Sequence, residues 1–136
     1  KISSHLERIA DYARNIAKRT LHLNGLAQVN ALKTLTRLVK LTISMIRDVL
    51  EAYGATDLKK AMAVWERDTE VDEMYASYIR ELLTYMMEDP RNIGPCTQLL
   101  FAAKNIERIG DHAANIAEMV YYLVEGTPFK EPTQER

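Results

Sequence analysis

The 136-residue chain has little of several things that define other protein classes. Cys96 is its one cysteine, so no intrachain disulfide can form and a reducing compartment fits. Neither sign of charge prevails: the net charge is −1 and the pI about 6.4, so no global basic field favours nucleic acid. No apolar run approaches the roughly 18 residues of a membrane span, and no secretory signal is visible. Strand-like alternation is absent. There is no glycine-rich phosphate loop, no Ser-His-Asp order and no zinc spacing, and nothing reads as a catalytic centre. The five glycines and four prolines fall mostly between periodic segments, where they act as punctuation.

What the chain does contain is a repeat. Residues 5–23 align with 105–123 at nine identities: Glu7/Glu107, Arg8/Arg108, Ile9/Ile109, Asp11/Asp111, Ala13/Ala113, Asn15/Asn115, Ile16/Ile116, Ala17/Ala117 and Leu23/Leu123. Apolar matches alone arise between any two helices. Matched Glu, Arg, Asp and Asn at fixed spacing mark an internal repeat.

Helical periodicity covers nearly the whole chain. A first helix over about 2–24 follows Ile2, Leu6, Ile9, Ala13 and Ile16, and Asn24-Gly25 ends it. A second, over about 27–53, follows Leu32, Leu35, Val39, Thr42, Ile46, Val49 and Tyr53, with Gly54 as its stop. The third is capped by Thr56 or Asp57 and runs to Asp89, ahead of Pro90. Its expected seam is Leu58, Met62, Trp65, Thr69, Asp72, Ala76, Ile79, Leu83 and Met86. The fourth starts near Asn92, with Pro95 tolerated in its first turn. It follows Leu99, Ala103, Ile106, Gly110, Ala113, Ala117, Val120 and Val124, widened by Ile109, Ile116 and Leu123, and Gly126 and Pro128 end it.

Long helices joined by short connections form an antiparallel bundle. The expected fold is all-α: a complete three-helix bundle over 26–126, a helix over 1–25 that ends a preceding, truncated unit, and a frayed polar tail over 127–136. The first helix, counterpart of the fourth, must cover its apolar stripe against a second copy of the chain or across the bundle in cis. Because the chain opens inside a helix, residues upstream are expected.

The carboxylates are the chemical feature. Glu107 and Asp111 stack one turn apart, as do Glu7 and Asp11, and Asp68 and Asp72. Two such pairs on adjacent helices make an oxygen-rich cluster suited to hard cations. A charge buried in a seam, as expected for Asp72, needs a cation or a hydrogen-bond partner. In a second reading, Arg8 and Arg108 neutralise the acids and the cluster is purely structural. His112 follows Asp111, but Glu107 and His112 do not match the Glu-x-x-His spacing of di-iron bundles. Cys96 stands near a helix start, where the dipole lowers a thiol pKa.

The run Ala103-Lys104-Asn105-Ile106-Glu107-Arg108-Ile109-Gly110-Asp111-His112-Ala113, preceded by Asp89-Pro90-Arg91-Asn92-Ile93, resembles the C-terminal repeat of the PhoU family of phosphate-uptake regulators. His5 to Ala17 resembles the matching helix of that family's N-terminal repeat, and Trp65 to Asp72 its acidic middle helix. The resemblance implies a cytoplasmic regulator, peripheral to the inner face of the membrane. Such a protein links a phosphate ABC transporter to a sensor histidine kinase, and a homo-oligomer is expected. It also implies metal binding, with divalent or ferric ions (Fe, Zn, Mg or Mn) held by Asp68, Asp72, Glu107 and Asp111, and half of a second site at Glu7 and Asp11. The competing reading is a carboxylate-bridged metal enzyme on a helical bundle.

Overall fold

A computed structural model describes residues 1–20 and 29–130. Its elements are α1 (Ile2–Thr20), α2 (Val29–Ala55), α3 (Leu58–Glu88), a short 3₁₀ turn at Pro90–Asn92, and α4 (Ile93–Glu125). The expected stop of the first helix at Asn24-Gly25 lies outside the described residues. The fold is all-α, as the periodicity requires.

Local chemistry explains the ends. Asp57 caps α3, its side chain accepting from the Lys60 amide at 3.1 Å, which satisfies an N–H that the helix leaves orphaned. The second helix does not stop at Gly54; it continues to Ala55 and breaks at Thr56, which takes the left-handed φ of 51°. Asp89 accepts from the Arg91 amide at the 3₁₀ turn, so α3 and α4 reverse tightly. Gly126 closes α4 with φ 73°, a conformation that glycine adopts without strain.

Helix α4 is the centre, packing on α1, α2 and α3. Its apolar face is as wide as that role demands: Leu99, Ala103, Ile106, Ile109, Gly110, Ala113, Ile116, Ala117 and Val120 are all buried. Only the last turn departs from the expected pattern, with Leu123 and Val124 exposed. Leu38, Met45 and Val49 of α2 and Val64, Val71, Tyr78 and Leu82 of α3 complete the core. The Tyr78 hydroxyl donates to the Ala31 carbonyl at 2.8 Å. Arg67 joins α3 to Asp48 of α2 at 2.6 Å and to the Ser44 hydroxyl at 2.9 Å.

The seam of α3 is one residue out of phase with expectation. Ala61, Val64, Val71, Tyr78 and Leu82 are buried, whereas Thr69, Asp72, Ala76 and Leu83 are exposed. The two candidate stripes carry similar apolar content. Tyr78 decides between them, because its hydroxyl finds a buried acceptor on α2 and its ring fills the core. The correction moves the acid within the seam from Asp72 to Asp68, which lies between Val64 and Val71.

Helix α1 lies along α4 in the same chain and meets no other helix among the described residues. Ile2, Ile9 and Ile16 pack against the core. The pair runs antiparallel: Arg19 stacks over Phe101 at 4.4 Å, and Tyr12 stacks on His112 at 5.7 Å. Positions 12 and 112 are equivalent in the repeat, so the two copies meet near their common midpoint. The tail is not frayed as far as it is described. Phe129 packs on Trp65 and Tyr121, with ring centroids 4.8 and 5.2 Å apart. Tyr78→Phe removes the bond to Ala31 and should cost about 1 kcal/mol of stability, read as a lower urea midpoint at unchanged m-value. No shift in the midpoint would show that the hydroxyl does not hold α3 in this phase.

Candidate metal centre

Three carboxylates converge where α3 crosses α4. One oxygen each from Asp68, Asp72 and Asp111 lies within 4.8 Å of the other two. Asp68 comes from the seam itself; Asp72, one turn on, and Asp111 from α4 stand at the solvent edge. The close approach has a specific cause. A Cβ built on Gly110 would meet Asp68 Oδ1 at 3.2 Å and Val71 Cγ1 at 3.4 Å, so this glycine is what admits the acid-bearing turn of α3.

The acids are electrostatically unsettled. Asp68 Oδ1 is buried without a hydrogen-bond partner. Burial, then repulsion from Asp111 and Asp72, pushes the Asp68 carboxyl up to about 7. Burial with Asp111 and Glu107 nearby pushes Asp72 up to about 6, and burial also raises Asp111. Such a cluster favours uptake of a proton or a cation. The donor set is all oxygen, which suits a hard cation. Asp68, whose Oδ1 is orphaned, is the carboxylate whose buried charge such an ion would offset.

Glu107 lies beside Asp72 but outside the group of three. Lys104 Nζ donates to it at 2.6 Å. Lys104 is therefore the counter-charge of this rim, and Arg108 is not: its guanidinium lies 5.7 Å from the Tyr12 ring centroid. Arg8 is exposed and makes no ion pair among the described residues. Glu7 and Asp11 are exposed on α1, and Asp11 is bridged to Arg14. No second acidic group with metal-ligand spacing occurs among the described residues. His112 is turned from the acids to His5, with the two Nδ1 atoms 2.7 Å apart. Cys96 is buried in the core, and burial raises its thiol instead of the helix dipole lowering it.

An open cleft of about 290 Å³ leads to the cluster, lined by Asp68, Asp72 and Asp111 with Trp65, Asn115 and Glu118. Sequence reasoning used Asn115 only as a match in the repeat and passed over Glu118. They stand four and seven residues after Asp111, on its own helix face, which was the available signal. Trp65 Nε1 donates to Glu118 at 3.3 Å, holding that carboxylate at the far wall.

Comparison with known proteins is decisive at the level of family. The PhoU domain profile matches residues 35–120. The chain belongs to the PhoU family. It is 54% identical over 127 residues to the phosphate-specific transport system accessory protein PhoU homolog of Caulobacter vibrioides, covering 93% of this chain and 55% of the relative. Among solved structures, PhoU from Pseudomonas aeruginosa superposes with a TM-score of 0.89 at 39% identity, covering 93% of this chain and 61% of that one. The phosphate transport system regulatory protein PhoU from Streptococcus pneumoniae gives 0.85 at 32% identity, covering 96% and 61%. The chain spans about half the length of the curated relatives it matches. These relatives carry the names of accessory and regulatory proteins, not of enzymes.

Folding raises these carboxyl pKa values, so the folded state keeps protons that the unfolded chain releases. Metal-free stability should therefore fall as pH rises from about 4 to about 7, and the penalty is complete above that. Asp68→Asn removes the buried charge at nearly constant shape. In chelator at pH 8 it should stabilise the fold by roughly 1–2 kcal/mol, after allowing for screening at the open side of the cluster, and flatten the slope between pH 4 and 7. A lower melting temperature in the variant, or an unchanged slope, would contradict the charge assignment.

Proposed function

We propose that this PhoU-family chain serves a non-enzymatic regulator of phosphate uptake and phosphate-starvation signalling, in which a metal ion joins α3 to α4. The observation that carries the metal reading is Asp68: its Oδ1 is buried and unpartnered, and one of its carboxylate oxygens lies within one cation's reach of Asp72 and Asp111. In this reading Asp68, Asp72 and Asp111 hold the ion, and Glu107, already engaged by Lys104, steadies the rim. Bound there, a divalent or ferric ion supplies positive charge that offsets mutual carboxylate repulsion and fixes the angle between two helices. The protein's own part is to bring the acids together across Gly110 and to present the resulting surface to partners.

By the names of its relatives, those partners belong to a phosphate transport system; we place the chain between a phosphate ABC transporter and a sensor histidine kinase, on the cytoplasmic side of the membrane. The repeat supports a further element of this reading. Helix α1 is the counterpart of α4 in a preceding unit, and Glu7 and Asp11 are half of a second site. No histidine stands with the three aspartates in the ligand-spaced group among the described residues, and His112 Nδ1 meets His5, which favours the regulatory reading over a carboxylate-bridged metal enzyme.

Titration calorimetry with Mn²⁺ on chelator-treated protein is the direct check. Asp72→Ala with Asp111→Ala should abolish the binding isotherm, and unchanged binding would remove this site. Gly110→Ala gives a subtler result. Alanine improves helix propensity by about 1 kcal/mol, but its methyl presses on Asp68. Overall stability should stay within about 1 kcal/mol while Mn²⁺ affinity drops at least about tenfold. Equal affinity would mean that the approach at Gly110 does not set the site.

A further inference from the structure

The outer face of α2 has a composition unlike the rest of the chain. From Val29 to Arg47 the helix carries Lys33, Arg37, Lys40 and Arg47 and no acid, on a chain whose net charge is −1. All four cations are exposed. None makes an ion pair among the described residues, in contrast to Arg67 and Lys60, whose partners are Asp48 and Glu51. At 100° per residue the four fall within one narrow arc. Alongside them runs a line of exposed apolar side chains: Leu32 is 38% exposed, Ile43 46% and Leu50 40%. Glu51, exposed at the C-terminal end of the same arc, is paired with Lys60, and the exposed acids Glu66, Glu70 and Glu73 are carried on α3.

We propose that this face of α2 docks directly on an anionic lipid surface, the cations meeting headgroups while Leu32, Ile43 and Leu50 enter the interface. The arrangement is that of an interfacial amphipathic helix, with a basic row beside an apolar row. From Leu32 to Leu50 the line extends about 27 Å along a helix of 1.5 Å rise, a straight row that suits a plane. Long Lys and Arg stems lie along apolar surface while their charges reach the headgroups. No helix of the described chain is long and apolar enough to cross a membrane, so contact of this kind is peripheral. The acids of α3 oppose docking by that side, which fixes the orientation. The inference shares with the proposed function only its location at the membrane; it needs neither the metal nor the named partners.

Co-sedimentation with large unilamellar vesicles tests it. The chain should bind vesicles containing about one-third phosphatidylglycerol and leave pure phosphatidylcholine vesicles unbound, with binding weakened by raising NaCl. Lys40→Gln with Arg47→Gln should weaken binding about twenty-five-fold, at about fivefold per cation, and Leu32→Ser with Leu50→Ser should weaken it at unchanged charge. Lys59→Gln with Arg80→Gln, charges on α3, should leave binding intact. Circular dichroism melts confirm that each variant is folded. Equal binding to both vesicle types, no binding to either, or equal loss from the α3 variant would overturn the proposal, and no binding to either would leave an acidic protein as the occupant of this face. None of these outcomes bears on Mn²⁺ binding, so failure here is separable from failure of the metal reading.

Discussion

The close approach of α3 to α4 at Gly110 governs both the packing and the chemistry of this chain. A side chain there would strike Asp68 Oδ1 and Val71, and Val71 is part of the core. Closing the two helices buries Val64, Val71 and Ile106, and it also removes an aspartate oxygen from water with nothing to receive it. Apolar burial at about 25 cal/mol per Å² drives the approach, and carboxylate desolvation opposes it. A fold that can tolerate such a charge by protonation or by a cation has made the helix junction responsive to its ionic surroundings.

The same helix organises the other side of the molecule. Helix α4 meets three neighbours because its apolar arc includes alanine and glycine at positions where a larger side chain would hold a helix away. On the side toward α1, the repeat copies cross near Tyr12 and His112. His5 and His112 share a short contact there. Burial, then the neighbouring His5 and Arg8, lower the His112 pKa. Relatives of known structure superpose over nearly the whole chain, so this arrangement of helices is that of the family.

Much of the fold was legible in the residues alone. Helix number, the cap at Asp57, the break at Pro90 and the buried face of α4 follow from periodicity and turn chemistry, because these depend on neighbours in sequence. The phase of α3 did not follow. Its two stripes are both apolar, and the choice rests on a tertiary bond from Tyr78 to Ala31. That one-residue difference exchanges the roles of Asp68 and Asp72. Counter-charges were misjudged for a similar reason. The expected arginines lie on the α1 side of α4, where Arg108 meets Tyr12, while Lys104, on the near side, reaches Glu107. The packing of Phe129 on Trp65 was invisible in a tail whose composition is polar.

If the Asp68–Asp72–Asp111 junction is a cation site, an ion must lie between the three carboxylates. Crystals grown from metal-free protein and soaked in Mn²⁺ would show this by anomalous diffraction. A peak is expected within coordination distance of Asp68, Asp72 and Asp111, absent from Asp72→Ala crystals. A peak bound only to exposed acids elsewhere, or none at the α3–α4 junction at full soaking, would contradict it.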